Sequence, residues 1–208
     1  MLRHFISASS LCLFLVSSFA QAQQRNDGWN GRPRPEERTS LFCAQGPNSQ
    51  AILTDLKTQK RLGAYYAPSM ETCQQALRAA RNGVVCTAGP RAGYAIPTLI
   101  ATGEMLGAYY YTSLESCTSS TYYQKNGLIC VSGTNGQAIP MEISSKTMIG
   151  AYYFTDGDSC RSAVTYHRGD IICTAGPKKG QAALYNYNTK TFLDQYYRPD
   201  LNSCLTAY

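Results

Sequence analysis

The sequence predicts a β-rich α+β protein of four tandem, disulfide-stabilised βββα units of about 43 residues, packed against one another. Three observations carry this. Eight cysteines after residue 40 form two interleaved series, Cys43, Cys86, Cys130, Cys173 and Cys73, Cys117, Cys160, Cys204, with steps of 43 or 44 residues in each. A tyrosine pair recurs with them, and its second member (Tyr66, Tyr110, Tyr153, Tyr197) always stands 7 residues before the second cysteine. The one interval that varies runs 8 or 9 residues from the first cysteine to an alanine (Ala51, Ala95, Ala138, Ala182), in a Gly/Pro-rich turn where an insertion does least harm. The units then span residues 41–83, 84–127, 128–170 and 171–208.

Residues 1–22 read as a secretory signal peptide: Arg3, an apolar stretch from Phe5 to Phe19, then Ala20-Gln21-Ala22. The stretch is too short and serine-rich to span a bilayer, and no later stretch qualifies, so no transmembrane anchor is expected. Cys12 follows Leu11 rather than a small residue, which argues against a lipid attachment site. Removal of the leader lowers nine cysteines to eight and the formal charge from +6 to +5, because only Arg3 leaves. An even cysteine count in an exported chain implies four disulfides and a periplasmic or secreted location. Residues 23–40, rich in Gly, Pro and Arg and carrying the single tryptophan, Trp29, read as a flexible tail.

Each unit opens with a short apolar run, such as Val84-Val85-Cys86 or Leu128-Ile129-Cys130, predicted to be a buried strand. A Gly-Pro or Gly-Thr turn leads into a second strand, in which Pro97 and Pro140 call for an edge position or a bulge rather than the centre of a sheet. The third predicted strand is the signature Leu62-Gly63-Ala64-Tyr65-Tyr66, repeated at Leu106–Tyr110 and Ile149–Tyr153. Strand alternation puts Leu62, Ala64 and Tyr66 on the core face, and Gly63 and Tyr65 on the other. The fourth unit has Asp194-Gln195 in place of Gly-Ala, as expected where the outer side of a terminal unit meets water. A helix follows, capped by Ser69 or Ser113 with Glu71 or Glu115 in its first turn. The first is predicted over 70–81 and closed by Asn82-Gly83. The fourth, cut short by Tyr208, has room for about one turn.

A unit this small cannot hold itself folded by apolar burial alone. Pairing Cys43 with Cys73, Cys86 with Cys117, Cys130 with Cys160 and Cys173 with Cys204 ties each first strand to its own helix, each link worth on the order of 3 to 4 kcal/mol. A register shifted by one cysteine also reaches, joining Cys73 to Cys86 and so on and closing a ring through Cys43 and Cys204; the in-unit scheme is favoured. In count and length the units resemble the blades of four-bladed propellers of the hemopexin type, in which a blade ends in a short helix. That resemblance implies a closed ring as the alternative fold, although propeller blades carry four strands and three are predicted here.

Composition narrows the chemistry. The mature chain keeps one histidine, His167, which reads as a lone surface residue, so histidine-based triads and zinc sites are not expected. The cysteine spacings do not fit zinc knuckles, and no metal or other cofactor is called for. Acids such as Asp55, Glu104, Glu142 and Asp170 fall at unequal unit positions, and Asp156 reads as a turn and helix cap. What repeats is aromatic. Tyr65, Tyr109, Tyr152 and Tyr196, the members of each pair turned away from the core, are the candidate binding residues, rigid platforms for a sugar ring or a protein. The expected function is therefore a non-catalytic binding or structural scaffold, not an enzyme, with a glycan or an envelope or surface protein as partner and no nucleic acid. The alternatives are a carboxylate-dependent hydrolase of envelope polymers and an inhibitor or adhesin presenting turns such as Arg91-Ala92 and Lys178-Lys179.

Overall fold

The computed structural model describes residues 40–208. The predicted signal peptide and the predicted tail up to residue 39, with Trp29, lie outside the described residues. The fold is α+β and β-rich, with four small sheets and four disulfides among the described residues. The element order is β1 (Leu41–Gln45), β2 (Ala51–Asp55), α1 (Met70–Arg78); β3 (Val84–Ala88), β4 (Ala95–Leu99), α2 (Leu114–Tyr122); β5 (Leu128–Ser132), β6 (Ala138–Glu142), β7 (Thr147–Met148), α3 (Gly157–Tyr166); β8 (Ile171–Ala175), β9 (Ala182–Asn186), β10 (Thr191–Phe192) and α4 (Leu201–Leu205). None of these helices is long and apolar enough to cross a membrane.

Each unit begins with an antiparallel hairpin in one register, the first cysteine lying opposite Leu53, Pro97, Pro140 or Leu184. The length variation falls in the hairpin turn, as predicted. The short turns place Asn48 and Asn135 at φ 52° and 55°, and the longer ones place Gly93 and Gly180 at φ 85°. Asparagine and glycine tolerate this left-handed region best.

The signature segment is not a strand, which corrects the βββα reading. Leu62 donates to Leu53 O, and the chain pairs again only at Ala67 with Ala51. The third segment thus takes five residues, 62 to 67, to pass two residues of its neighbour, 53 to 51. The same detour follows Leu106 and Ile149. In the first three units a glycine takes the turn out of the ladder, held at φ 82° in Gly63, 89° in Gly107 and 90° in Gly150, where the pleat cannot continue; the fourth unit makes the same detour after Leu193, rejoining at Arg198 with Ala182, with Asp194 in the glycine's place. Ladder pairing before the detour persists as two residues in β7 and β10 and as the single bridges Thr54–Arg61 and Thr98–Met105 in the first two units. The expected core face breaks with it: Leu62 is buried, Ala64 is exposed, Tyr66 is half-buried, and the buried position moves to Ala67, Tyr111 and Phe154.

The detour also accounts for the prolines. β6 and β9 are central strands of three, against the expectation that the second strand avoids the centre. Pro97 and Pro140 accept Leu106 and Ile149 N–H through their carbonyls, while their nitrogens face the segment that has left the ladder. No partner is lost there. Leu184 in the fourth unit keeps its N–H and donates it to the Asp194 carboxylate at 3.0 Å, and Arg198 holds that carboxylate through two 2.9 Å bonds.

Ser69, Ser113, Asp156 and Asp200 each cap a helix by accepting the backbone N–H three residues on. The first helix stops at Arg78, short of the expected Arg81. Asn82-Gly83 forms a tight hairpin turn between Arg81 and Val84, with both central residues at positive φ, rather than a helix cap. The disulfides follow the in-unit scheme, Cys43–Cys73, Cys86–Cys117, Cys130–Cys160 and Cys173–Cys204, with Cα atoms 6.0 to 6.1 Å apart. The ring-closing alternative does not occur. Loops of 30 or 31 residues closed this way restrict the unfolded chain by about 3.6 kcal/mol each.

Packing runs from unit to unit. α1 lies on its own hairpin and on β3, α2 on its own and on β5, α3 on its own and on β8. β3, β5 and β8 are therefore buried almost throughout, whereas β1, which no earlier described unit covers, is buried only at Leu41. His167 is not on the surface, as its sequence context suggested, but is 1% exposed. It follows α3 at the position that Ala80 and Gln124 fill in the first two units, a slot closed by the neighbouring unit. Its Nδ1 lies 2.6 Å from Val164 O and its Nε2 3.2 Å from the Asn126 amide.

Candidate functional site

The detour that breaks the third strand also builds the site. At each left-handed glycine the chain presses on the first strand of the next unit: a Cβ on Gly63 would stand 2.7 Å from Thr87 Cβ, one on Gly107 3.0 Å from Val131 Cβ, and one on Gly150 2.8 Å from Thr174 Cβ. Only glycine allows that approach, so the tetrapeptide Gly63-Ala64-Tyr65-Tyr66, like its counterparts in the next two units, is pinned at the junction and its two tyrosines splay to opposite duties.

The second tyrosine is a clamp. A Cβ on the turn glycine of the same hairpin, Gly46, Gly89, Gly133 or Gly176, would strike the ring of Tyr66, Tyr110, Tyr153 or Tyr197 at 2.4 to 2.8 Å. Each ring therefore lies on bare backbone. Each ring also meets the residue just before the signature: Arg61 sits 5.6 Å over the Tyr66 ring, Tyr110 and Tyr153 donate to Met105 and Met148 sulfur at 3.5 Å, and Phe192 meets Tyr197 edge-on at 6.0 Å. Burial, and then the neighbouring Tyr65, raise the Tyr110 pKa above its usual value.

The first tyrosine is the exposed one, as alternation predicted: Tyr65, Tyr109 and Tyr152 are 40 to 43% exposed. Tyr65 stands edge-on to Tyr110 at 6.2 Å, and Tyr152 to Tyr197 at 6.4 Å, so rings of successive units meet across the junction. Beside each lies an open groove, walled by the tyrosine pair of one unit and the hairpin turn of the next. The first, about 280 Å³, lies between Tyr65-Tyr66 and Gly89-Pro90-Arg91. The second, about 560 Å³, lies between Tyr109-Tyr110 and Gly133-Thr134-Asn135, with Arg161 and Asp158 from α3 at its side. The third, about 360 Å³, lies between Tyr152-Tyr153 and Pro177-Lys178-Lys179.

The structure thus brings three of the four candidate tyrosines into equivalent grooves. Tyr196 lines none of them, and it is 78% exposed. Sequence reasoning singled out the Arg91 and Lys178-Lys179 turns, but it did not join them to the tyrosines. It missed Arg161 and Tyr94, which reach the grooves from a helix and a long turn. The neighbouring Tyr111 is interior: it donates to Cys130 O at 2.7 Å, and burial pushes its pKa up to about 12. Asp156, beside the third groove, is held below the usual carboxylate range; burial opposes this, and bonds from the Ser159 N–H and hydroxyl and from Thr155 outweigh it.

No protein-family model matches the chain, and no curated protein matches it. Solved structures do match, at low depth. BamB from Moraxella catarrhalis is 10% identical, with 74% of this chain and 45% of that one covered and a TM-score of 0.28. The mitotic checkpoint complex is 12% identical, with 74% and 47% covered and a TM-score of 0.26. The Cps50 (Swd1) β-propeller domain of Myceliophteria thermophila is 9% identical, with 78% and 52% covered and a TM-score of 0.24. The chain spans about half the length of these structures. Superpositions of this depth define no shared fold.

Proposed function

We propose that the protein is an exported, non-catalytic binding scaffold, an open array of four tandem repeats that presents its junction grooves to an extended ligand in the periplasm or outside the cell. One observation carries the reading: three grooves are built at three successive junctions from the same unit positions, each pairing an exposed tyrosine with a turn of the next unit. Repetition of a surface feature that the core does not need suits repeated contacts along one ligand. The open form is supported by where the packing runs: among the described residues the substantial contacts between units join successive ones, and none joins the first unit to the fourth. Export is supported by four disulfides, which persist in oxidising compartments.

A non-catalytic role is supported by the employment of the acids. Asp156 and Asp200 cap helices, Asp194 holds Arg198, Glu104 pairs with Lys146, and Asp55 accepts from its own turn. The test is a screen of the mature oxidised chain on a glycan array and against envelope proteins, repeated with Tyr65, Tyr109 and Tyr152 all changed to Ala. Binding should fall at least about ten-fold in the triple variant and hold in Tyr196→Ala. Equal binding by the triple variant, or turnover of a bound polymer, would overturn the proposal.

A further inference from the structure

The row of grooves is cationic, and its cations come from different places. Across the three linings stand Arg91, Arg161, Lys178 and Lys179 against one acid, Asp158, which Arg161 itself holds. Arg91 and Lys178 occupy the same position, just after the Gly-Pro of their turns. The third unit has Asn135 there, and its groove is supplied by Arg161 from α3 and by Arg91 from the turn of the preceding unit. Every groove therefore has a guanidinium or ammonium group, although only two turns encode one. The side chains of Arg91, Lys178 and Lys179 make no hydrogen bond or ion pair with other described residues, so their charge is available to a ligand.

The other wall chemistry narrows the class. Each groove sets an exposed tyrosine beside amide or hydroxyl groups: Gln50 in the first, Thr112 and Ser116 in the second, Gln137, Gln181 and Thr155 in the third. A pyranose ring lays its C–H face on an aromatic and spends its hydroxyls on such groups. A peptide would look instead for deep apolar slots or a run of unpaired strand backbone. The detours take the signature segments out of the ladder at the grooves, so no such run is offered there.

Resting on the scaffold reading above, we infer that the ligand is an acidic linear polysaccharide, whose carboxylates meet the groove cations while successive sugar rings lie against Tyr65, Tyr109 and Tyr152. Three weak sites on one polymer raise each other's occupancy, so affinity should climb with chain length until all three grooves are spanned. Calorimetry with polygalacturonate, its short oligomers, neutral dextran and poly-L-glutamate tests this on the mature oxidised chain. Polygalacturonate should bind, bind better as it lengthens, and weaken with added salt. The double variant Lys178→Glu/Lys179→Glu, on an exposed turn, should lose roughly ten-fold in affinity with unchanged thermal stability.

Equal binding of dextran, or no effect of the charge reversal, would overturn the acidic ligand and leave the groove reading standing. Poly-L-glutamate binding as tightly would overturn the saccharide in favour of an acidic peptide. Loss of polygalacturonate binding on charge reversal, with none in the tyrosine triple variant, would overturn the groove reading itself.

Discussion

Alanine at Gly150 should destabilise the protein by about 2 to 5 kcal/mol, far more than alanine at Gly180, although both glycines have nearly the same backbone angle. Gly150 sits at φ 90° and Gly180 at φ 85°, so each substitution meets a left-handed cost of about 1 to 2 kcal/mol. They differ in what the new methyl touches. At Gly180 the nearest heavy atom is Pro199 O at 3.9 Å, ordinary contact. At Gly150 it is Thr174 Cβ at 2.8 Å, with Cγ2 at 3.0 Å. Thr174 is fully buried in β8, and no χ1 rotation moves its Cβ, so the strand or the detour must shift. Such overpacking costs about 1 to 3 kcal/mol more. Urea titration of both variants under non-reducing conditions measures the difference. Losses equal to within about 0.5 kcal/mol would refute the claim that the signature glycine exists for the junction, leaving only the turn conformation to explain it.

Phe154→Ala should cost about 3 to 5 kcal/mol, because Phe154 is 5% exposed within the core shared by the last two units, whereas Tyr152→Ala should leave thermal unfolding nearly unchanged; equal losses would mean that the exposed tyrosines are packing rather than a surface. Burial, aided by the nearby Lys125 charge and opposed by the bond to Val164 O, lowers the His167 pKa below 6.5, so the unfolded chain binds the proton more tightly. Its contribution is complete above about pH 6.5 and is lost as pH falls toward the lowered folded value. Asp156 and Asp194, whose pKa values are lowered from 3.8, lose theirs only below that pH. Melting temperature should therefore decline between pH 7 and 5, and His167→Gln, which copies Gln124 of the second unit, should flatten that limb; an unchanged limb would refute the assignment.

What the sequence disclosed depended on whether a feature was local. The cysteine pairing, the caps at Ser69, Ser113 and Asp156 and the length change in the hairpin turn each involve residues whose spacing is fixed within one unit. The third strand was misread because alternation assumes one backbone conformation, and Gly63, Gly107 and Gly150 leave it. Nothing in the letters distinguishes a glycine that lets a ring lie on backbone from one at positive φ. His167 was misread for a related reason. Composition made it a polar residue near a helix end, but its position is the one that buries Ala80 and Gln124, and only unit-to-unit comparison of burial reveals that slot. The grooves needed more still, since each joins two units.

One tetrapeptide thus links stability to surface. Its glycine is held by the next unit, its second tyrosine holds the turn of its own hairpin, and its first tyrosine is delivered to the groove between them. The frame is fixed by glycine contacts that tolerate no side chain, whereas the groove wall is the hairpin turn, where the chain already accepts 8 or 9 residues between cysteine and alanine. Groove chemistry can therefore change, from Arg91 to Asn135 to Lys178, without disturbing the junctions. The fourth unit marks the limit of that logic. There the glycine position carries Asp194, which avoids positive φ, accepts the Leu184 N–H and holds Arg198, so that its side chain supports its own unit rather than a junction among the described residues.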